Sequence, residues 1–170
     1  MRTDITEKPS KGAVPNLMDK DSLFENICHE LQSHPLLGTY YKDEKHLKDA
    51  VLRVIEKYDS ANNLPLTARD TNLEGIKAFG RGKTPDIAIK FREERFIAIE
   101  VKYRNTSDWV LSRGIGQAVT YSVKYPYGII FIRDSFDKDP SVSHDFDDEI
   151  KSSLMRNYRI KLIIRYNYGP

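Results

Sequence analysis

The chain is short of cysteine, of net charge and of long apolar runs, and each shortage removes a class of explanation. A single cysteine, Cys28, excludes an intrachain disulfide and any four-cysteine zinc or iron–sulfur centre. With 27 Lys and Arg against 25 Asp and Glu, the net charge of +2 leaves bulk electrostatics too weak to hold a polyanion. Affinity for one must come from a local patch. No apolar run approaches the roughly 20 residues that cross a bilayer, and the polar N-terminus has no signal-peptide core, so an intracellular, non-secreted, membrane-free protein is expected.

What is present divides into a polar start and one domain. Residues 1–20, broken by Pro9, Gly12 and Pro15, read as a flexible arm, and residues 21–170 as a single domain with its core over about 43–166. Asp21 or Ser22 is placed to cap a first helix, whose Leu23, Phe24, Ile27 and Leu31 recur at helical spacing until Pro35. Cys28 and His29 are adjacent there and face different ways, which favours packing over metal ligation. A second helix over about 43–58 carries Leu47, Val51, Val54, Ile55 and Tyr58 on one stripe. Glu44 lies at the edge of that inward stripe, whereas Glu56 points almost opposite, and His46 lies off it.

The middle of the chain, Thr84 to Lys102, reads as two paired apolar strands joined by the polar turn Arg92 to Arg95. Alternation puts Glu100 and Lys102 on one face, with Ile97, Ile99 and Val101 on the other. Asp86 joins them if the loop has an odd number of residues; a slip of one turns it away. The turn contains no Gly or Asn to take a left-handed position. Upstream, a strand is expected near Ile76 to Phe79, then Gly80 to Lys83 as a flexible basic link or a plain turn. Lys77 to Arg104 holds eight basic residues against four acidic ones, the local patch that the net charge conceals.

Downstream, Ser112 is placed to cap a helix running to about Lys124, with Gly114 and Gly116 in its first turn. Gln117 and Tyr121 share one face of it. Tyr127 to Ile132 is a continuous apolar strand; a loop and helix follow, and Tyr158 to Tyr166 is the last strand. The acidic group from Asp137 to Glu149 does not have the spacing of a calcium loop and reads as a solvated helix start. Helices alternating with strands give an α/β fold with a mixed central sheet flanked by helices.

The order Pro85-Asp86, then Glu100-Val101-Lys102, then Gln117 and Tyr121 on a helix resembles the PD-(D/E)XK nuclease superfamily, which includes restriction endonucleases, Holliday junction resolvases and recombination exonucleases. The resemblance spans about Glu44 to Tyr166 and is nearest the resolvase-like and exonuclease-like branches. It implies a restriction-endonuclease-like core and hydrolysis of DNA phosphodiesters with magnesium, or manganese as substitute. Asp86, Glu100 and the Val101 carbonyl would hold the ion, with Glu44 contributing from the helix and Glu56 in reserve. Lys102, Gln117 and Tyr121 would complete the catalytic group, and Arg81, Lys83, Arg104 and Arg113 would contact DNA. Lys102 is either a base or a charge stabiliser. A homodimer would serve paired cuts, while junctions, duplexes and single strands all remain candidate substrates. The alternative of another class is a DNA-binding or assembly module that uses the same fold without catalysis.

Overall fold

The computed structural model describes residues 19–39, 41–70, 76–78, 81–104, 109–134 and 145–166. Helix α1 (Lys20–Ser33) starts earlier than expected, because Asp19 rather than Asp21 or Ser22 is its cap: its carboxylate accepts from the Ser22 N–H at 2.9 Å. The expected arm falls outside the described residues up to residue 18; of its last two residues, Asp19 caps α1 and Lys20 begins it. A 3₁₀ turn, Pro35–Gly38, leads on toward α2 (Glu44–Asn62), which Asp43 caps by accepting from His46 N–H. Leu47, Ala50, Val51, Val54 and Ile55 form its buried stripe, and Asn63 ends it in the left-handed region at φ 49°.

Three short strands follow, in a stretch with little periodic pattern. Strand β1 (Leu66–Asp70) was not foreseen, and β2 (Ile76–Ala78) pairs with β3 (Arg81–Lys83) in a separate two-stranded ribbon. Residues 81–83 are therefore a strand, not a flexible link. Then come β4 (Ile87–Phe91), β5 (Glu94–Arg104), α3 (Trp109–Tyr121), β6 (Tyr127–Asp134), α4 (Asp145–Tyr158) and β7 (Ile160–Tyr166). Helix α3 begins upstream of Ser112, so Gly114 and Gly116 lie in its middle and expose no first-turn donors.

The fold is mixed α/β, a five-stranded mixed sheet flanked by four helices. Strand order is β1-β4-β5-β6-β7, antiparallel over the first three and parallel over the last three. Each parallel step needs a crossover, and α3 and α4 supply them on one face while α1 and α2 cover the other. Ile97, Ile99, Val101, Ile129, Phe131 and Ile163 pack under α1 and α2. On the opposite face Ile130, Ile132, Ile160 and Leu162 meet Ala118 and Leu154, while Ala88 and Ala98 leave room for the rings of Tyr121 and Tyr125. β6 is apolar on both sides because both sides are covered. Gly128 is needed where β6 meets β7, since a Cβ there would lie 2.9 Å from Ile160 Cγ1.

The β4–β5 hairpin reaches the required register by an unexpected route. Its turn is the pair Arg92 and Glu93, between Phe91 and Glu94, and both take positive φ (50° and 66°) without being Gly or Asn. A loop of even length, continued regularly, would set Asp86 opposite Ile99, on the wrong face. The register shifts between Lys90↔Arg95 and Ile89↔Ile97, leaving Phe96 as a surplus residue in β5. Beyond that bulge Ile87 pairs with Ile99, so the next position outward sets Asp86 against Glu100. Phe96 itself is buried against Phe91 and Tyr127, at ring separations of 5.8 and 5.3 Å. Because Glu93 has a Cβ in a region that favours glycine, Glu93→Gly is expected to raise unfolding stability by about 0.5–1 kcal/mol. Urea denaturation reads this directly; an unchanged or lower midpoint would contradict the turn conformation.

Candidate functional site

The site lies where β4 and β5 part. β5 runs on to Arg104 while β4 begins only at Ile87, so the N–H groups of β5 beyond Ile99 have no strand partner on that edge. Two carboxylates take them in turn. Asp86 Oδ2 accepts from Val101 N–H at 2.8 Å, and Glu44 Oε2, from the first turn of α2, is 3.4 Å from Tyr103 N. Between these two amides Lys102 extends on the α3 face, its stem beside Gly114. Its Nζ stands 2.6 Å from Glu100 Oε1, 3.6 Å from Asp86 Oδ2 and 3.6 Å from Glu44 Oε1, and donates to Val101 O at 3.0 Å. Four oxygens, from β5, α2 and the residue just before β4, thus surround one positive charge.

Burial gives these groups unequal character. Glu100 is only 1% exposed and Lys102 7%, whereas the side chains of Asp86 and Glu44 are 25% and 49% exposed. Burial, then the neighbouring charge of Asp86, pushes the Glu100 carboxyl up to about 7 against the opposing pull of Lys102. For Lys102 burial favours the neutral amine, but Glu100, Asp86 and Glu44 together outweigh it and hold the ammonium form above its ordinary range. The Tyr121 hydroxyl donates to Thr84 O at 2.7 Å and borders Glu100 and Gln117; burial, then the charge of Glu100, raises its pKa. Among the described residues two buried acceptors, Glu100 Oε2 and Gln117 Oε1, have no hydrogen-bond donor.

These oxygens suit a hard divalent cation: carboxylates and a carbonyl are the donors magnesium and manganese take, and one or two carboxylates suffice for magnesium. Among the described residues no three Asp, Glu, His or Cys side chains form a ready-made metal cluster, since the carboxylates face the Lys102 ammonium instead. The donor types suit such an ion, and the position among them is held by the Lys102 ammonium. Away from this group, burial pushes the Cys28 thiol up to about 12, and His46 is exposed and bound to Asp43 at 2.7 Å.

The structure thus brings Glu44, Asp86, Glu100, Val101 and Lys102 together, with Gln117 and Tyr121 beside them on α3. Glu56 is exposed and stands apart from this group. Lys83 is exposed on β3 a short way before Asp86, and Arg113 is exposed on α3. The side chains of Arg81 and Arg104 lie outside the described residues. The basic patch divides along the hairpin: Arg92 and Arg95, stacked over Phe91 and Tyr125, stand at the turn end, away from the carboxylates. Sequence reasoning missed the Thr84 carbonyl and the Tyr103 amide, because backbone groups leave no mark in a residue pattern.

The buried carboxyl has a measurable consequence. Glu100 holds its proton more tightly folded than unfolded, so its contribution to stability is fully present below the ordinary carboxylate range near pH 4–5 and is lost as pH rises through about 7. In chelator-treated protein the urea midpoint is expected to fall across that window, and Glu100→Gln to flatten the fall. Equal slopes in the two proteins would contradict the assignment. Compared with protein-family models, curated proteins and solved structures, the chain matches none.

Proposed function

We propose that this chain is a metal-dependent nuclease that hydrolyses DNA phosphodiester bonds. The observation that carries the reading is the convergence of Glu44, Asp86, Glu100 and the Val101 carbonyl on one cationic point. The residue order that resembles the PD-(D/E)XK superfamily supports it, because the same residues fill both patterns. Magnesium, or manganese in its place, would be held by Asp86, Glu100 and the Val101 carbonyl with Glu44 beside them, and when bound supplies an acidified water and charge neutralisation at the phosphate.

The chain's own groups then have distinct tasks. Without a metal the carboxylates hold Lys102 in its ammonium form, which suits it to stabilise charge and orient the phosphate. Gln117, whose carbonyl oxygen lacks a donor, is suited to accept from the attacking water. Tyr121 is a positioning residue: by binding Thr84 O it fixes the segment that carries Asp86. Lys83 and Arg113, both exposed, would supply cations along the approach of a DNA backbone, the role that the resemblance also gives Arg81 and Arg104. Among the described residues no helix is long and apolar enough to cross a membrane. A two-fold dimer would be required only for paired cuts at a junction.

One observation favours a second reading, a DNA-binding or assembly module without catalysis. Lys102 already places a cation among the carboxylates of Glu44, Asp86 and Glu100, so part of their charge is offset without a metal. Metal titration separates the two: the nuclease is stabilised thermally by manganese, and the module is not.

The activity test offers a four-way junction, a linear duplex and single strands with magnesium. Cleavage is expected of at least one, with loss of about 100-fold or more in each of Asp86→Ala, Glu100→Ala and Lys102→Ala and on chelation. Activity surviving all three substitutions would overturn the assignment. Lys102→Met removes the competing cation, and is expected to tighten manganese binding while cleavage is lost; weaker binding would contradict the shared site.

A further inference from the structure

Helix α1 has no basic residue in its last turn, yet the carbonyls at its end and in the following turn are bonded by side chains from elsewhere. Arg165 Nη1, on β7, donates to Gln32 O at 2.6 Å and to His34 O at 3.2 Å. Thr39 and the Tyr41 hydroxyl both donate to Leu36 O. Arg133 Nη2, on β6, donates to Gly38 O at 2.8 Å. The stretch that connects α1 to α2 is therefore held carbonyl by carbonyl onto the C-terminal ends of the parallel strands. Cations at a helix C-terminus are favourable, which accounts for Arg165. It does not account for Arg133, which binds farther along and is only 2% exposed.

Register explains where Arg133 acts. Tyr103, Arg133 and Arg165 lie abreast on β5, β6 and β7. Arg133 lies within electrostatic reach of Tyr41 and Tyr103. Tyr41 precedes the Asp43 cap of α2, and the Tyr103 amide is the group that meets Glu44. Glu44 is half-exposed and its two contacts, at 3.4 and 3.6 Å, are long, so a small displacement of the start of α2 breaks both.

We infer that Arg133, seconded by Arg165, is a positioning residue for Glu44: by pinning the connection between α1 and α2 it sets where α2 begins and so holds the Glu44 carboxylate against β5. Its consequence for catalysis rests on the nuclease reading; the geometric claim does not. Gly38 is exposed, so its carbonyl can turn to water when Arg133→Met removes the donor, and the methionine retains much of the packed length.

The experiment is amide hydrogen exchange by NMR on the metal-free protein, read at Tyr103, with Val101 as the internal control because Asp86 holds that amide. Arg133→Met is expected to speed Tyr103 exchange about tenfold, as Glu44→Ala does, while Val101 is unchanged and the double variant is no faster than Glu44→Ala. Tyr103 exchange at the wild-type rate, or Tyr103 and Val101 rising together as general loosening, would overturn the inference. Arg165→Met, read at the same two amides, decides the matter by the same outcomes if Arg133→Met does not fold. Where the wild type binds manganese, Arg133→Met is expected to weaken it by the same factor as Glu44→Ala. A wild type that binds none removes the nuclease reading and leaves the exchange comparison standing.

Discussion

The surplus residue Phe96 is the constraint on which the site depends. Strand alternation has a period of two, so one extra residue on one strand exchanges the faces of everything beyond it. The turn at Arg92 and Glu93 sets a pairing that would carry Asp86 to the α1–α2 side, and the bulge at Phe96 returns it to Glu100. The bulge is anchored by apolar contact, the ring of Phe96 being buried between Phe91 and Tyr127. Packing on one side of the sheet therefore fixes the carboxylate geometry on the other.

Once in register, the charged groups form a compact electrostatic unit. A buried Glu100–Lys102 pair is a poor way to stabilise a fold, since desolvation consumes most of the attraction and an apolar pair of similar volume would serve as well. Its cost is offset by the carbonyl of Val101 and by two further carboxylates at the rim, of which each also satisfies an amide that β4 leaves unpaired. The arrangement holds three acidic groups near one another without a metal, and leaves acceptors on Glu100 and Gln117 in want of a donor or a cation. That combination is better explained by a task than by stability.

Much of this was legible in the residues. The apolar stripe of α2 separated Glu44 from Glu56 by direction alone, and alternation assigned Glu100 and Lys102 to one face. The spacing of Gln117 and Tyr121 placed both on one side of a helix, and they do lie together beside Glu100. The failures share a cause. β1, Leu66–Asp70, is a short edge strand with one neighbour, whose Leu66 and Ala68 pack against the core, too brief a run to stand out as an alternating apolar pattern. The β2–β3 ribbon contains Gly82, which reads as a loop until a partner strand is known. Helix α3 begins at Trp109, an aromatic at the end of a polar stretch, and its glycines then fall mid-helix where sequence rules place a start. Neither positive-φ turn residue is Gly or Asn, and a bulge residue that is simply another buried phenylalanine carries no signature.

The central claim is that Glu44, Asp86, Glu100 and the Val101 carbonyl form one cation site at the parted end of the hairpin. Paramagnetic broadening by sub-stoichiometric manganese locates such a site directly in a ¹H–¹⁵N spectrum. The amides of Asp86, Glu100, Val101 and Lys102 are expected to broaden first, while Gly128 and Arg159, at the other end of the sheet, stay sharp. Broadening centred on the acidic start of α4, or none at any of the four, would contradict that claim.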